Sequence, residues 1–122
     1  MTVTLLKSKI HRATVIKTEL GYEGSVTIDR ALTRAAGMYE HEKVLIANVN
    51  TGERFETYCL TSNEPGLLCL NGAAARLASV GDLVIVMAFA QIEEAEAVNF
   101  SPKVVRVDAR NRILGQDLSR VV

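Results

Sequence analysis

Apolar and β-branched residues occur along this chain in many short runs separated by polar residues, a pattern typical of β-strands. The first run, residues 3–19, is rich in valine, isoleucine and threonine and contains neither proline nor glycine. The pattern predicts further strands over residues 26–28, 43–49, 53–60, 67–70, 83–90 and 102–107. We therefore expect a small, mainly β protein. A closed barrel is favoured because closure removes exposed sheet edges.

Short helices and turns separate the predicted strands. Asp29 is placed to cap a helix over residues 30–36, and Gly37 is placed to end it in a left-handed conformation. Asn71 is placed to cap a second short helix over residues 71–78. Turns are expected at residues 21–24, 40–42, 50–52 and 80–82, and loops at residues 61–66 and 91–100. No regular structure is predicted for residues 110–122.

The twofold period of a strand assigns side chains to faces, and in the first strand this groups basic residues. Lys9 and His11 are predicted to share one face. Ile10 and Arg12 are predicted to share the other.

Composition and charge exclude several classes of protein. A length of 122 residues with 48% apolar residues fits one domain with a substantial core. Basic and acidic residues both number 14, so the formal net charge is zero. This balance disfavours nucleic-acid binders, which neutralise phosphates, and basic membrane-surface proteins. No apolar run reaches the ~20 residues that span a bilayer, and no secretory signal is visible at the N-terminus.

The cysteines and the charged turn give no sign of a metal site. Cys59 and Cys69 lie in apolar, strand-like runs and lack clustered partners. We expect them to be reduced core residues, which suits a cytoplasmic protein. Glu40, His41 and Glu42 are consecutive, so their side chains splay apart, and a solvated loop is favoured over metal ligation.

The dipeptide Gly24-Ser25 suggests a covalent reaction. Glycine has no Cβ and tolerates unusual backbone angles, so a hydroxyl can approach its carbonyl carbon. The Ser25 hydroxyl could attack the Gly24 carbonyl and move the acyl group from nitrogen to oxygen. Elimination from that ester, followed by hydrolysis, would leave a pyruvoyl group at the start of a new chain. For the dipeptide alone, an ordinary turn is the more common interpretation.

Seven segments taken together favour the covalent reaction over the turn. They are Lys9-Ile10-His11-Arg12, Tyr22-Glu23-Gly24-Ser25, Ala35-Ala36-Gly37, Asn48-Val49, Gly52-Glu53-Arg54-Phe55-Glu56-Thr57-Tyr58, Asn71-Gly72-Ala73-Ala74-Ala75 and Ala78-Ser79-Val80-Gly81-Asp82. In their order and spacing they resemble the pyruvoyl-dependent aspartate 1-decarboxylase family, over most of the chain.

The resemblance implies a small closed six-stranded double-psi β-barrel with short helices, a single domain of residues 1–122 that forms a homotetramer. It implies self-cleavage into a β chain of residues 1–24 and an α chain of residues 25–122. The implied reaction converts L-aspartate to β-alanine and CO2 for pantothenate synthesis. The implied cofactor is the covalent pyruvoyl group, with no metal and no pyridoxal phosphate. The need for a maturation helper stays open.

The resemblance also assigns catalytic roles. Ser25 is the pyruvoyl precursor, whose ketone forms a Schiff base with the substrate amine and accepts the electrons of decarboxylation. Tyr58 is the implied proton donor, because a phenol with a reference pKa of ~10 carries its proton at neutral pH. Gly24, His11 and Asn71 are implied to support processing. A structural role for His11 is equally consistent with the sequence.

Substrate binding is implied for two cations and one backbone segment. Arg54 offers a planar charged fork to one carboxylate of aspartate, and Lys9 is the second candidate cation. Which carboxylate each one meets stays open. The segment Gly72, Ala73 and Ala74 would let main-chain N–H groups approach a carboxylate because its side chains are small.

Thr57 resembles the family threonine that contacts both the cleavage site and the substrate. A regular strand would direct Arg54 and Tyr58 one way and Thr57 the other. Either the strand is bulged there, or both of its faces contribute to sites at subunit boundaries.

Three other functions remain open. The chain could be an uncleaved, non-catalytic barrel that serves as a binding module. It could be a swapped-hairpin DNA-binding regulator, which the zero net charge disfavours. It could also decarboxylate a different acidic amino acid, such as L-glutamate.

Overall fold

The computed structural model describes residues 1–117 of the chain. Within them, the chain forms nine strands, two short α-helices and one 3-10 helix. The strands are β1 (Thr2–Thr14), β2 (Lys17–Glu19), β3 (Ser25–Asp29), β4 (Lys43–Asn48), β5 (Arg54–Ser62), β6 (Leu68–Asn71), β7 (Leu83–Glu93), β8 (Lys103–Val107) and β9 (Ile113–Asp117). The helices are α1 (Arg30–Ala36), α2 (Glu94–Ala97) and the 3-10 helix Gly72–Arg76. The mainly β class predicted from the sequence is confirmed.

All nine strands belong to one hydrogen-bonded order, β2-β6-β3-β5-β4-β7-β1-β8-β9. Three neighbouring pairs run parallel, namely β1 with β8, β2 with β6, and β3 with β5. Parallel neighbours cannot be joined by a tight hairpin, so each of these pairs is linked by a longer crossover connection. The link between β1 and β2 joins strands that are not neighbours in the order. It crosses from the start of β7 to β6, since Val15 N donates to Asp82 O at 2.8 Å and Ile16 N donates to Leu68 O at 3.0 Å.

A single apolar cluster forms the core. Its members come from seven strands, β1 and β3 to β8, from α1 and the 3-10 helix, and from two connecting segments through Val15 and Met38. Full burial of an aliphatic side chain contributes about 1.5–3 kcal/mol. Because strands from both halves of the order contribute to one cluster, the sheet curls around it. The largest of its fully buried side chains include Ile10, Ile28, Leu32, Ile46, Leu68 and Leu70.

The first predicted helix is confirmed from cap to cap. Asp29 Oδ1 accepts a hydrogen bond from Ala31 N at 2.9 Å, and Gly37 ends α1 with φ of +67°. Leu32 and Ala36 are buried in the core. At seven residues, α1 is the longest helix among residues 1–117, and none of the helices there could cross a bilayer.

The second predicted helix is wrong in type and in its cap. Residues 72–76 form a 3-10 helix, and the Asn71 side chain makes no capping hydrogen bond. The reason is competition, because the Asn71 amide bonds instead to side chains of the neighbouring strand β3.

The first predicted strand is interrupted. The register of β1 against β7 shifts between Ile10 and Ala13, and Arg12 has φ of +60°. This bulge separates two residues that were predicted to share a face, since Ile10 is fully buried and Arg12 is exposed. Bulges of this kind re-aim side chains.

The predicted loop over residues 91–100 is partly wrong. Strand β7 continues to Glu93, because it pairs with the start of β1, where Thr2 faces Glu93 and Thr4 faces Gln91. Helix α2 follows directly.

The C-terminal region is more ordered than the sequence indicated. Strand β9 pairs with β8 over Ile113–Asp117. Before it, the buried Asn111 has φ of +61° and donates from Nδ2 to Thr14 O at 2.8 Å and to Gly66 O at 2.9 Å. The part of the prediction for residues 118–122 lies outside the described residues.

Candidate active site

Ser25 is the first residue of β3, and its side chain is fully buried. Its Oγ accepts a hydrogen bond from Asn71 Nδ2 at 2.9 Å and lies 3.4 Å from Glu23 O as a long donor contact. Ser25 and Asn71 are direct partners in the antiparallel pair of β3 and β6. Side chains that face each other in this way project to the same side of the sheet, so the pairing brings the amide to the hydroxyl.

The amide of Asn71 is fully engaged. Besides Ser25, its Nδ2 donates to Thr27 Oγ1 at 2.9 Å, and its Oδ1 accepts from Cys69 Sγ at 3.2 Å. Asn71 is only 2% exposed. A buried amide with every group satisfied has a fixed position, so the donor to Ser25 is preorganised.

Gly72 packs against the backbone that precedes Ser25. It has φ of +63°, and a Cβ built on it would lie 2.7 Å from Gly24 N and 2.7 Å from Tyr22 O. Only glycine fits there. At Gly24 itself, a Cβ would meet no atom within 4 Å, and φ is not in the left-handed region. In the intact chain, neither the backbone angle nor the available space therefore demands glycine at position 24.

Ser25 is one of the residues that line a cavity of about 490 Å³. Tyr58 lies in the same cavity, so the structure brings together the two residues predicted to be catalytic. Within residues 1–117, the cavity is lined by Tyr22, Glu23, Ser25, His41, Tyr58 and Leu60.

His41 also lines this cavity, although only a solvated turn was predicted at its position. Its ring centroid lies 6.2 Å from that of Tyr58, with the planes tilted by 53°. Its φ of +70° and a 2.7 Å hydrogen bond from its N to Cys59 O aim it there. The signal that could have found it is its position in a turn that leads into β4, which pairs with the strand of Tyr58.

The neighbours of His41 point elsewhere, as their consecutive positions predicted. Glu40 Oε1 accepts from Thr61 N at 2.7 Å, and Glu42 pairs with Lys7 Nζ at 2.7 Å. Among residues 1–117, no group of three or more His, Cys, Asp or Glu side chains is arranged to hold a metal ion.

Lys9 and His11 lie outside the lining of the Ser25 cavity. Burial, and then the charge of Arg106, lower the pKa of Lys9. His11 lines a separate cavity of about 370 Å³ with Arg12 and Arg106. Burial first, and then the charges of Lys9, Arg106 and Arg12, lower the pKa of His11. Within the described residues, the buried Nδ1 of His11 has no hydrogen-bond partner.

Arg54 and Thr57 also lie outside that lining. The register of β5 against β4 is continuous from Arg54 to Tyr58, so the strand has no bulge there. Arg54 is exposed, while Thr57 is half-buried on the opposite face, next to the buried Cys59 in the alternation. The bulge that was one explanation for Thr57 is absent from this stretch, and the two-face explanation is the one that remains.

The three residues of the small-residue segment, Gly72, Ala73 and Ala74, lie in different surroundings. Gly72 supports the chain at Gly24, Ala73 is exposed, and Ala74 is 7% exposed in the core cluster. Only Ala73 presents its side chain to solvent, so the segment meets the cleavage region mainly through Gly72.

A sequence model of the aspartate decarboxylase family matches residues 1–114. The chain belongs to the aspartate decarboxylase family. The resemblance drawn from the seven segments is confirmed, and the match extends beyond the region where those segments lie.

Individual aspartate decarboxylases support the same assignment over nearly full length. The aspartate 1-decarboxylase of Campylobacter jejuni is 58% identical over 111 residues, which are 91% of this chain and 88% of that protein. The enzyme of Ruminiclostridium cellulolyticum is 54% identical over 114 residues, 93% of this chain and 89% of that protein. The enzyme of Caldicellulosiruptor bescii is 52% identical over 115 residues, 93% of this chain and 90% of that protein.

Proposed function

We propose that this chain cleaves itself between Gly24 and Ser25 and then decarboxylates L-aspartate to β-alanine and CO2, using a pyruvoyl group made from Ser25. The observation that carries this proposal is the buried Ser25 hydroxyl. It accepts a hydrogen bond from Asn71, and Ser25 lines the cavity that also holds Tyr58. The product would serve pantothenate synthesis.

Cleavage would proceed through an ester. The Ser25 hydroxyl adds to the Gly24 carbonyl carbon, and its proton passes to the nitrogen of residue 25 as the peptide C–N bond breaks, which leaves an ester and a free amine. The Ser25 Cα then loses a proton while its Cβ–O bond breaks, which releases Gly24 as a carboxylate and leaves dehydroalanine. A proton moves from the nitrogen to Cβ to give an imine, and water hydrolyses this imine, releasing ammonia and leaving a ketone at residue 25. The Asn71 N–H is placed to stabilise charge on Oγ as it loses its proton.

The residues around Ser25 fit the group that the cleavage would create. Cleavage of the bond before Ser25 would leave position 25 at the wall of the cavity, where Asn71 remains a donor toward it. The pyruvoyl group would supply an electrophilic ketone and a conjugated carbonyl that accept electrons during decarboxylation. Tyr58, in the same cavity, would deliver the proton to the substrate Cα. Leu60 and the ring of Tyr22 would restrict water there.

We also infer that the substrate cations come from another copy of the chain. Arg54, Lys9 and His11 lie outside the lining of the Ser25 cavity, yet aspartate brings two carboxylates that need cations. A homotetramer with sites at subunit boundaries would place these cations opposite Ser25 and Tyr58. It would also let the two faces of β5 serve different parts of a site, with Thr57 on one face and Arg54 on the other.

For the fold, we infer a closed six-stranded double-psi barrel. The single core cluster and the crossing link between β1 and β2 support closure, and the mixture of parallel and antiparallel neighbours supports the crossover topology. We further infer a cytoplasmic location, which is supported by the two buried cysteines carrying free thiols.

The proposal is tested by intact-mass spectrometry followed by an activity assay. We expect the purified chain to convert into two fragments, residues 1–24 and 25–122, with a reducible carbonyl at the start of the second. The matured protein should release β-alanine from L-aspartate. Ser25→Ala should neither cleave nor turn over, while the exposed-site control Ser101→Ala should do both.

Three outcomes would favour the other functions. A wild-type chain that stays intact after long incubation would contradict the enzyme and support the uncleaved binding module. A cleaved chain that decarboxylates L-glutamate faster than L-aspartate would keep the mechanism but replace the substrate. A tight, salt-sensitive shift with DNA would favour the regulator.

A further inference from the structure

We propose that Cys69 is a positioning residue for the self-cleavage, because its thiol holds the Asn71 amide in the orientation that serves Ser25. The inference rests on the proposed self-cleavage and adds a residue to it. It concerns the precursor chain, in which the Gly24–Ser25 bond is intact.

Four side chains form a compact block on one face of β3 and β6. Ser25 faces Asn71 and Thr27 faces Cys69 in the antiparallel register. Alternation along each strand places all four on the same side. Thr27, Cys69 and Asn71 also line a cavity of about 370 Å³, but Cys69 is only 4% exposed and Asn71 only 2%, so little of either side chain is accessible to solvent.

The thiol has one good acceptor. Cys69 Sγ lies 3.2 Å from Asn71 Oδ1, whereas its distance to Leu70 O is 4.0 Å. Burial raises the pKa of the Cys69 thiol above its usual range, which keeps it in the S–H form at neutral pH. The thiol is therefore a donor to the Asn71 oxygen.

This donor decides between two orientations of the amide. The hydroxyls of Ser25 and Thr27 can each donate or accept, so on their own they would satisfy either the nitrogen or the oxygen of Asn71. A flipped amide would instead turn its NH2 group toward sulfur, which is a weak acceptor. The Cys69 thiol thus favours the orientation in which Nδ2 points to Ser25 Oγ, at 2.9 Å.

The orientation matters because cleavage makes Ser25 Oγ a nucleophile. A donor at Oγ stabilises the negative charge that develops as the proton leaves. In the flipped orientation the hydroxyl would donate its proton to an amide oxygen, which is too weak a base to remove it. Cys69 acts on Ser25 only through Asn71, so it is a positioning residue and touches no substrate.

The test compares self-cleavage rates of full-length precursors refolded from denaturant and followed by intact mass. We expect Cys69→Ala to cleave about fivefold more slowly than wild type, the effect of one neutral hydrogen bond. Cys69→Ser keeps a donor at the same place and should restore the rate to within about twofold. Cys59→Ala is the matched control, because the other buried thiol donates to Tyr39 O, at 3.1 Å.

Two further measurements separate positioning from packing. Melting temperatures of the same precursors report any loss of stability, which Cys69→Ala and Cys59→Ala should share. In the background of Asn71→Ala, replacing Cys69 by alanine should not slow cleavage further, because the group it orients is gone. An additional fivefold loss there would contradict the inference.

The possible failures are distinguishable. If wild type never cleaves, the proposed function fails. If wild type cleaves and Cys69→Ala matches its rate, or if Cys69→Ser is as slow as Cys69→Ala, the proposed function stands and the role of Cys69 is wrong.

Discussion

The region around Ser25 and the basic region formed by Lys9, His11, Arg12 and Arg106 differ in how many of their polar groups find partners within one chain. Ser25 has its hydrogen-bond donor in Asn71, its backbone support in Gly72 and a phenol in the same cavity. In contrast, the buried Nδ1 of His11 has no hydrogen-bond partner among residues 1–117. We therefore expect the proposed self-cleavage, which needs only groups of the first kind, to begin in a single folded copy.

We infer that the basic region is part of a site to which groups from outside the chain also contribute. The pKa values of Lys9 and His11 are both lowered by burial and then by neighbouring positive charges. Burying like charges together costs free energy, and an anion placed among them would offset that cost. We therefore propose that self-processing needs one chain and that substrate binding needs the assembly.

The largest expected effect separates the two reactions proposed for the Ser25 region, self-cleavage and decarboxylation. Tyr58→Phe should self-cleave at the wild-type rate, because Asn71 rather than Tyr58 contacts Ser25 Oγ. It should lose about 10²–10⁴-fold in kcat, the usual contribution of a positioned proton donor. The control is Tyr39→Phe, which changes a tyrosine that is 74% exposed and lies outside the cavity lining. Normal turnover in Tyr58→Phe would remove Tyr58 from the mechanism.

The next effect tests whether substrate binding belongs to the assembly. Ser25→Ala and Arg54→Gln should each be inactive alone. Mixed tetramers should regain activity at about one quarter of the boundaries, those that join an intact Ser25 to an intact Arg54. The matched mixture of Ser25→Ala with Tyr58→Phe should stay inactive, because those two residues share a cavity in one chain. Rescue in the second mixture, or none in the first, would overturn the assignment.

Local patterns were enough to predict the elements whose determinants are adjacent in sequence. Helix α1 is the best case, since Asp29 and Gly37 act within a few residues of the helix they bound. The family could be predicted because seven short segments keep their order and spacing, and the roles of Ser25 and Tyr58 stay predictions that follow from it. Each of those signals can be detected without knowing what lies across the sheet.

The features that were missed depend on partners far along the chain. The local pattern predicted Asn71 as a helix cap, and only the family resemblance placed it among the residues that support processing; its amide bonds to Ser25, 46 residues away. Residues 91–93 were predicted as loop, but they extend β7 because β1 pairs with them. His41 reaches the cavity through the pairing of β4 with β5. No local period or propensity carries this information.

A smaller effect concerns the stability of the fold and tests the buried hydrogen bonds that Asn111 makes to Thr14 and Gly66. Asn111→Ala should lower the free energy of unfolding by about 2–4 kcal/mol, because it removes buried hydrogen bonds and places alanine at a left-handed φ. These bonds include Thr14 N to Oδ1 at 2.7 Å, besides the two made by Nδ2. Denaturant unfolding measures the loss, and the exposed Asn99→Ala is the control. At low temperature, self-cleavage should continue, because none of these hydrogen bonds reaches Ser25, Thr27, Cys69 or Asn71.

The smallest effect probes the charge of the basic region directly. Since the pKa of His11 is lowered by burial and by Lys9, Arg106 and Arg12, the unfolded chain binds this proton more readily than the folded chain. Stability from this group is complete above the ordinary histidine pKa of about 6.5 and declines as pH falls below it.

The measurement is Tm at about pH 7.5 and about pH 5.5, a range in which histidine normally titrates. We expect His11→Gln to reduce the fall of Tm between them by about 1–3 °C, a modest change for a chain of this size. A dicarboxylate that occupies the basic region should flatten the wild-type slope in the same way, because an anion raises the pKa of His11. An equal fall of Tm with pH in wild type and His11→Gln would show that folding does not lower the pKa of His11. The contrast drawn between the basic region and the Ser25 region would then lose this support.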